Sequence, residues 1–318
     1  KQKDGDWVVL DNFRLTYLGP VEIETLSIVG DFSENGWDAA QGIAMTQSTE
    51  NTAIWTAVVE DFTVTSAKYK YNYKAVANQD YSVYELPSGY EVYQNYDFNY
   101  DGAREGTYTL TFTVNTQAHT VELTPLKLDE NTYYVAGTES FFGSNWNGSD
   151  ENNKMTRQSD NTFTWTKEGV DLTAGTIEYK IVKNGSVWIP DGTDNNIKID
   201  VKMDGKYDVT IHFEPSNNNT YQTMSIYKTI GEAGYATYCA PYDLNFKGTG
   251  VTAYIAKVNG NEVTFEEVTE AKAKTGLLLK AAEGAYSLPM EEASTSATSA
   301  LVGVTEETKV AAGAFVLL

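Results

Sequence analysis

One tryptophan-bearing segment occurs twice in this chain: residues 45–56 read MTQSTENTAIWT and residues 155–166 read MTRQSDNTFTWT, with the same internal spacing. A chain that repeats itself at that distance folds, over the repeated part, as two copies of one module. From 45–70 and 155–180 the copies align without a gap, sharing Asn51/Asn161, Thr52/Thr162, Trp55/Trp165, Asp61/Asp171, Thr63/Thr173, Tyr69/Tyr179 and Lys70/Lys180. Upstream, VGDFSENGWD answers AGTESFFGSNWN and pairs Gly30 with Gly137 and Trp37 with Trp146. The copies are placed at 21–127 and 128–228, each the size of one β-sandwich.

The periodicity of both copies is that of strands. Thr, Tyr, Val and Ile recur in short alternating runs broken by Gly, Asn and Asp, without an apolar stripe at helical spacing. TYTLTFTV puts Tyr108, Leu110, Phe112 and Val114 on one face, and KYDVTIHF does the same with Tyr207, Val209, Ile211 and Phe213. The expected fold is all-β: tandem immunoglobulin-like sandwiches followed by a small β-rich C-terminal domain over 229–318, where Ala, Gly and Val become commoner and the repeat is lost. Residues 1–20 read as the trailing strand of a preceding domain or a linker. Both ends read as cut, so the chain is expected to be an excerpt of a longer polypeptide with any leader or anchor outside it.

A length of 318 residues exceeds one sandwich core and agrees with several. The formal charge of −21 repels a phosphate backbone and argues against nucleic acid as a partner. One cysteine, Cys239, allows no internal disulfide, and two histidines, His119 and His212, are too few for a zinc or copper site, so neither a metal nor another cofactor is expected. No apolar run is long enough to span a bilayer, and the fragment is expected to be soluble.

Two kinds of tryptophan follow from the pattern. Trp55 shares its strand face with Ala53, Ala57 and Val59, and Trp165 with Phe163, so both are expected in the core. Trp37 and Trp146 instead lie in Gly/Asn/Ser-rich loops, where nothing local calls for a buried ring. In the second copy EYKIVKNGSVWIPDG adds Lys180, Asn184 and Trp188, with Lys180 and Asn184 on the face opposite Tyr179 and Ile181. Such a set suits a sugar: flat aromatic rings for the apolar face of a pyranose, charged or amide groups for its hydroxyl rim. Two rings at an angle fit a curved chain such as an α-1,4-glucan, and coplanar rings fit a straight one.

The order of these elements, a loop Trp, a Trp-bearing strand, EYK, then SVW and an Asp/Asn-rich loop, resembles starch-binding carbohydrate-binding modules, including those of SusE/SusF-type surface glycan-binding lipoproteins of gut bacteria. The resemblance covers 21–228, twice. It implies a glucan site at Trp146, Lys180 and Trp188, with Asn195 as a hydroxyl partner. It also implies non-catalytic binding at the cell surface, α-glucan polysaccharide or maltooligosaccharide as the ligand, and outer-membrane glycan-uptake proteins as further partners. The first copy departs from the pattern: Trp37 and Lys70 match, yet no later Trp follows. There Tyr81 or Tyr84 is the candidate second ring, with Asn72 and Lys74 on the same face as Lys70.

Other signals are weaker. DFNYDG opens like a calcium loop, but Tyr108 stands where a bidentate Glu is required, so it reads as a hairpin turn. His212 is expected at the surface of its strand, His119 on a face with Val121 and Leu123, and Cys239 as a small buried residue. No pair of carboxylates is singled out for glycoside hydrolysis, and the chain is not expected to be an enzyme. The rival readings are a C-terminal binding appendage of a surface glycoside hydrolase and an adhesive Ig-like stalk with a protein partner, the latter requiring Trp37, Trp146 and Trp188 to be buried.

Overall fold

The computed structural model describes residues 22–32, 34, 36–98, 105–260, 262–294 and 297–304. The leading segment 7–19, most of the DFNYDG turn and the C-terminal AAGAFVLL lie outside them. The fold is all-β, and the chain divides into two compact units at 128/129.

The first unit is a two-sheet antiparallel sandwich. One sheet runs Ile43–Ala44, Leu26–Gly30, Lys70–Ala77 and Glu85–Leu86, with Gln94–Asp97 also pairing with Lys70–Ala77; the other runs Thr46–Gln47, Ile54–Val64, Gly106–Asn115 and Thr120–Lys127. Alternation along Gly106–Asn115 sends Tyr108, Leu110, Phe112 and Val114 inward, and all four are buried. They meet Tyr71 and Tyr73 from the opposite sheet and Phe32 from the turn after Leu26–Gly30, with Phe32 stacked on Tyr71 at 4.7 Å. Removing a ring such as Phe112 from this interior would cost about 3–5 kcal/mol.

The second unit begins with the same sandwich. Tyr133–Gly137, Gly175–Lys183 and Val187–Ile189 form one sheet, with Ile197–Val201 also pairing with Gly175–Lys183. The other runs Thr156–Arg157, Phe163–Leu172, Gly205–Glu214 and Asn219–Ile230, and a further strand, Gly284–Pro289, extends it through six residue pairs from Ser225↔Pro289 to Ile230↔Gly284. The sequence after residue 229 thus shares a sheet with the second sandwich, and Ala240, Tyr242, Leu244, Ala253 and Leu279 share its core. That region adds its own four-stranded sheet, Tyr235–Tyr238, Leu277–Lys280, Thr252–Asn259 and Glu262–Val268.

Trp55 and Trp165 are both buried in their sandwiches. His119 differs from its expected place on the core face: it sits exposed in the turn before Thr120–Lys127 at φ 56°, because that turn needs a left-handed residue. Cys239 is half-buried rather than enclosed. Among the described residues no helix is long and apolar enough to cross a membrane.

Candidate functional site

In the second sandwich the site is built on the outer face of the sheet centred on Gly175–Lys183. Tyr179 and Ile181 point into the core and are fully buried, so Glu178, Lys180 and Val182 occupy the opposite face. Trp188 stands across the ladder from Val182 and rests on a small apolar bed of Tyr134, Ala136 and Val182. Trp146 comes from the loop that leaves the neighbouring strand at Gly137. That loop departs tightly: a Cβ on Gly137 would overlap the carbonyl oxygen of Glu178, and Trp146 takes φ 50° with its N–H bonded to the Gly137 carbonyl at 3.2 Å. The two indoles are 6.4 Å apart between centroids and tilted by 44°.

Between them opens a cleft of about 590 Å³ lined by Trp146, Glu178, Lys180, Trp188, Asp191, Gly192, Thr193 and Asn196. Lys180 is only 4% exposed, and its ammonium donates to the carbonyls of Pro190, at 2.8 Å, and Gly192. A buried ammonium must be hydrogen-bonded, and here its bonds hold the Pro190–Asp191–Gly192 loop against the sheet. One of its three N–H groups is left over. Glu178 accepts from the Asn196 amide at 3.0 Å and pairs with Lys198 at 3.2 Å. These two bonds, with the Lys198 charge, hold the Glu178 carboxyl below the usual range against a small opposing effect of burial. Asn196 Oδ1 is enclosed and has no protein partner.

The first sandwich repeats this construction with a shifted correspondence. Gly30 pairs with Tyr73 and Val29 with Lys74, as Gly137 pairs with Tyr179 and Ala136 with Lys180. Lys74 is therefore the counterpart of Lys180. The ungapped alignment equates Lys70 with Lys180 because the first copy carries four more residues between Trp55 and Tyr73 than the second does between Trp165 and Tyr179. Two of them lengthen the strand ahead of its bulge, and two lie in the turn after it. Lys74 is 2% exposed and donates to Glu85 at 2.5 Å and to the Gly89 carbonyl at 2.9 Å. The second ring is Tyr93, 4.6 Å from Trp37 and tilted by 51°. Burial tends to raise the Glu85 carboxyl, but the bonds from Lys74 and the Gly89 N–H, with the Lys74 charge, lower it overall.

No family model matches the chain, and no curated protein does. The chain is similar to the crystal structure of SusF from Bacteroides thetaiotaomicron. The two share 13% identity over 82% of this chain and 71% of that one, with a TM-score of 0.33. A likeness that distant leaves the site to be read from its own geometry.

Of the residues expected at the second site, Trp146, Lys180 and Trp188 come together. Asn184 does not line the cleft: at φ 50° it ends the strand, accepts from the Thr132 N–H at 3.0 Å and donates to Asn131 at 2.8 Å. Asn78 does the same in the first sandwich, at φ 52°. Asn195 donates to the Asp191 carbonyl at 3.0 Å, and its neighbour Asn196 lines the cleft. In the first sandwich Trp37 and Tyr81 meet, the Tyr81 hydroxyl donating to the Trp37 carbonyl at 2.6 Å. Lys74 lies 5.9 Å from the Tyr93 ring. Tyr84 is partly buried, its hydroxyl near the Thr116 carbonyl at 3.5 Å. Asn72 accepts from Asn95 at 3.0 Å, and its N–H donates to Asp31. Lys70 is more than half exposed and pairs with Asp97 at 3.3 Å. It stands roughly 13 Å from Lys74 along the strand. Tyr93, Glu85, Glu178 and Asn196 went unread in the sequence. A signal for them was present: LPSG and IPDG place a Pro-x-Gly at matching positions, and Gly89 and Gly192 both take positive φ.

Proposed function

We propose that this chain is a non-catalytic glycan-binding protein whose second module takes a starch-like α-glucan on Trp146 and Trp188, and whose first module takes one on Trp37 and Tyr93. The supporting observation is the pair of indoles, 6.4 Å apart and tilted by 44°, over a cleft with a polar floor. Each indole offers an apolar face to the C–H face of one sugar, and the tilt follows a chain that curves from one ring to the next. Glu178, Asp191, Thr193 and Asn196 supply acceptors and donors for hydroxyl groups. Lys180 acts first on the loop and has one N–H to spare. The ligand is neutral, so binding is expected in the micromolar to millimolar range per site and insensitive to salt. Two such sites on one chain would gain avidity on a polymer, in keeping with a cell-surface role beside glycan-uptake proteins.

The stalk reading requires Trp37, Trp146 and Trp188 to be buried, and Trp37 is 37% exposed. A place as the binding appendage of a larger hydrolase would use these same sites. Native gels containing amylopectin, dextran or xylan test the proposal: retardation is expected on amylopectin and not on the other two. A folded chain that runs unretarded on amylopectin would defeat it.

A further inference from the structure

Trp188 borders two clefts. Beyond the one it shares with Trp146 lies a second of about 540 Å³, walled by Pro190, Asp191, Ile197, Asn219 and Thr220. Each is within the size range of small-molecule sites. Trp188 and Asp191 line both, so the clefts adjoin at these two residues. We propose that the second cleft is a further sugar subsite, so that one glucan chain lies across Trp188 and fills both. This rests on the glucan reading of the first cleft and extends it.

The strand Asn219–Ile230 shows why the cleft is there. Its inward positions are Thr220, Gln222, Met224 and Ile226, of which only Met224 and Ile226 are buried. The inward face of this outer strand thus turns from apolar to polar at this end. Gln222 is accounted for: it accepts from the Tyr179 hydroxyl at 3.3 Å and donates to the Lys198 carbonyl at 3.4 Å. Thr220 is not. Its Oγ1 is enclosed and has no protein partner. Among the described residues only three side-chain polar atoms share that condition: Asn196 Oδ1, Thr220 Oγ1 and the Tyr238 hydroxyl. Two of the three therefore belong to residues that wall the clefts on either side of Trp188. Folded proteins keep few such groups, and each calls for an explanation. Both are closed to solvent, so a sugar hydroxyl reaches them only when the Asn196 or Thr220 side chain turns toward its cleft.

The hairpin tip adds donors and acceptors. Asn217 is spent on the turn, donating to Glu214 at 2.9 Å and accepting from the Asn219 N–H at 2.8 Å. The exposed side chains of Asn218, at φ 57°, and Asn219 take no part in that turn bonding. Each carboxamide can accept from one hydroxyl and donate to another. Asp191 on the shared wall disfavours an anionic ligand, and the carboxamides suit a neutral polyol such as the next sugar of the same chain.

The test is calorimetric titration with maltooligosaccharides of increasing length. The full chain would carry Trp37→Ala and Tyr93→Ala so that only the second module is read. Affinity is expected to rise with length and level off once both clefts are filled. Adding Asn218→Ala, Asn219→Ala and Thr220→Val should lower the affinity for the longest ligand by about tenfold, the loss of one or two hydrogen bonds, and leave the shortest unchanged. Affinity that does not rise with length, a rise that survives the triple change, or an equal loss at every length would overturn the second subsite while leaving the first cleft standing. If no maltooligosaccharide binds at any length, the glucan reading itself falls and the extension falls with it.

Discussion

In the second sandwich the strand position opposite Val182 is Trp188, and the loop position before Ile197 is Asn196; in the first, the positions opposite Val76 and before Gln94 are Glu85 and Tyr93. The aromatic and the polar residue have changed places. Each module still presents a tilted ring pair beside a buried lysine that clamps a Pro-x-Gly loop. The conserved quantity between the copies is thus a set of chemical groups at one sheet face, supplied from whichever backbone position reaches it. The exchange also changes what the lysine holds. Lys180 bonds two carbonyls, whereas Lys74 bonds one carbonyl and a carboxylate.

That last difference gives the largest expected effect. Lys74→Met leaves the partly buried Glu85 carboxylate with only the Gly89 N–H, and the loss should approach that of breaking a buried pair, about 3–5 kcal/mol. Lys180→Met strands only neutral carbonyls and should cost about 1–3 kcal/mol. Urea unfolding of the two variants compares them directly. Equal losses would mean that Glu85 contributes nothing to the clamp.

Next in size is the ring pair itself. Trp188→Ala or Trp146→Ala should weaken amylopectin binding at the second module by about 2 kcal/mol, the scale of a buried aromatic anchor. Tyr93→Ala should do less at the first, about 1 kcal/mol, because a phenol covers less of a sugar face than an indole. Affinity gels run on each variant in a chain whose other module is silenced rank the two platforms. A Tyr93 variant that binds as before would return the second-ring role to Tyr81, whose hydroxyl is bonded to the Trp37 carbonyl.

Much of this architecture was legible in the chain. Period-two alternation located Gly106–Asn115 and Gly205–Glu214 and put Trp55 and Trp165 inside, because those strands have one buried face and the pattern records it. The gathering of Trp146, Lys180 and Trp188 was also legible, since two of them lie on one hairpin and the third follows its neighbouring strand. What stayed hidden depends on pairing across strands. Tyr93 is read as one tyrosine among many until the ladder sets Tyr73 beside Gln94, and Glu178 and Asn196 meet only because Tyr179 faces Ile197. A four-residue difference in length shifted Lys70 onto Lys180, and no local composition corrects such a slip. The polar end of the strand Asn219–Ile230 had no sequence signature beyond Thr220 and Gln222 at inward positions.

Acid should expose the Lys74–Glu85 pair by a smaller margin. The Glu85 carboxyl is held below its ordinary value of 4.5 in the folded protein. Its contribution is therefore complete above that ordinary value and is lost as pH falls through the lowered folded one. Glu178 is lowered too, but it lies at the surface, where its partners are screened. Unfolding of the first unit followed from neutral pH down through the carboxylate range should show a loss of stability that Glu85→Gln makes shallower. A first unit whose acid loss is as steep with Gln at 85 would place the sensitivity elsewhere.

The smallest effect expected is that of Lys70→Ala. The ungapped repeat puts this lysine in the first site, and the register puts Lys74 there. Lys70 holds Asp97 at 3.3 Å with more than half its side chain in solvent, and an exposed pair of that kind is worth about 0–1 kcal/mol. Its position, roughly 13 Å down the strand, is beyond the reach of a sugar stacked between Trp37 and Tyr93. Stability should barely change, and amylopectin retardation by the first module should not change at all. Were retardation lost in a folded Lys70→Ala protein, the ligand of the first module would have to run along the strand towards Asp97, and the two modules would then bind by different surfaces despite their shared frame.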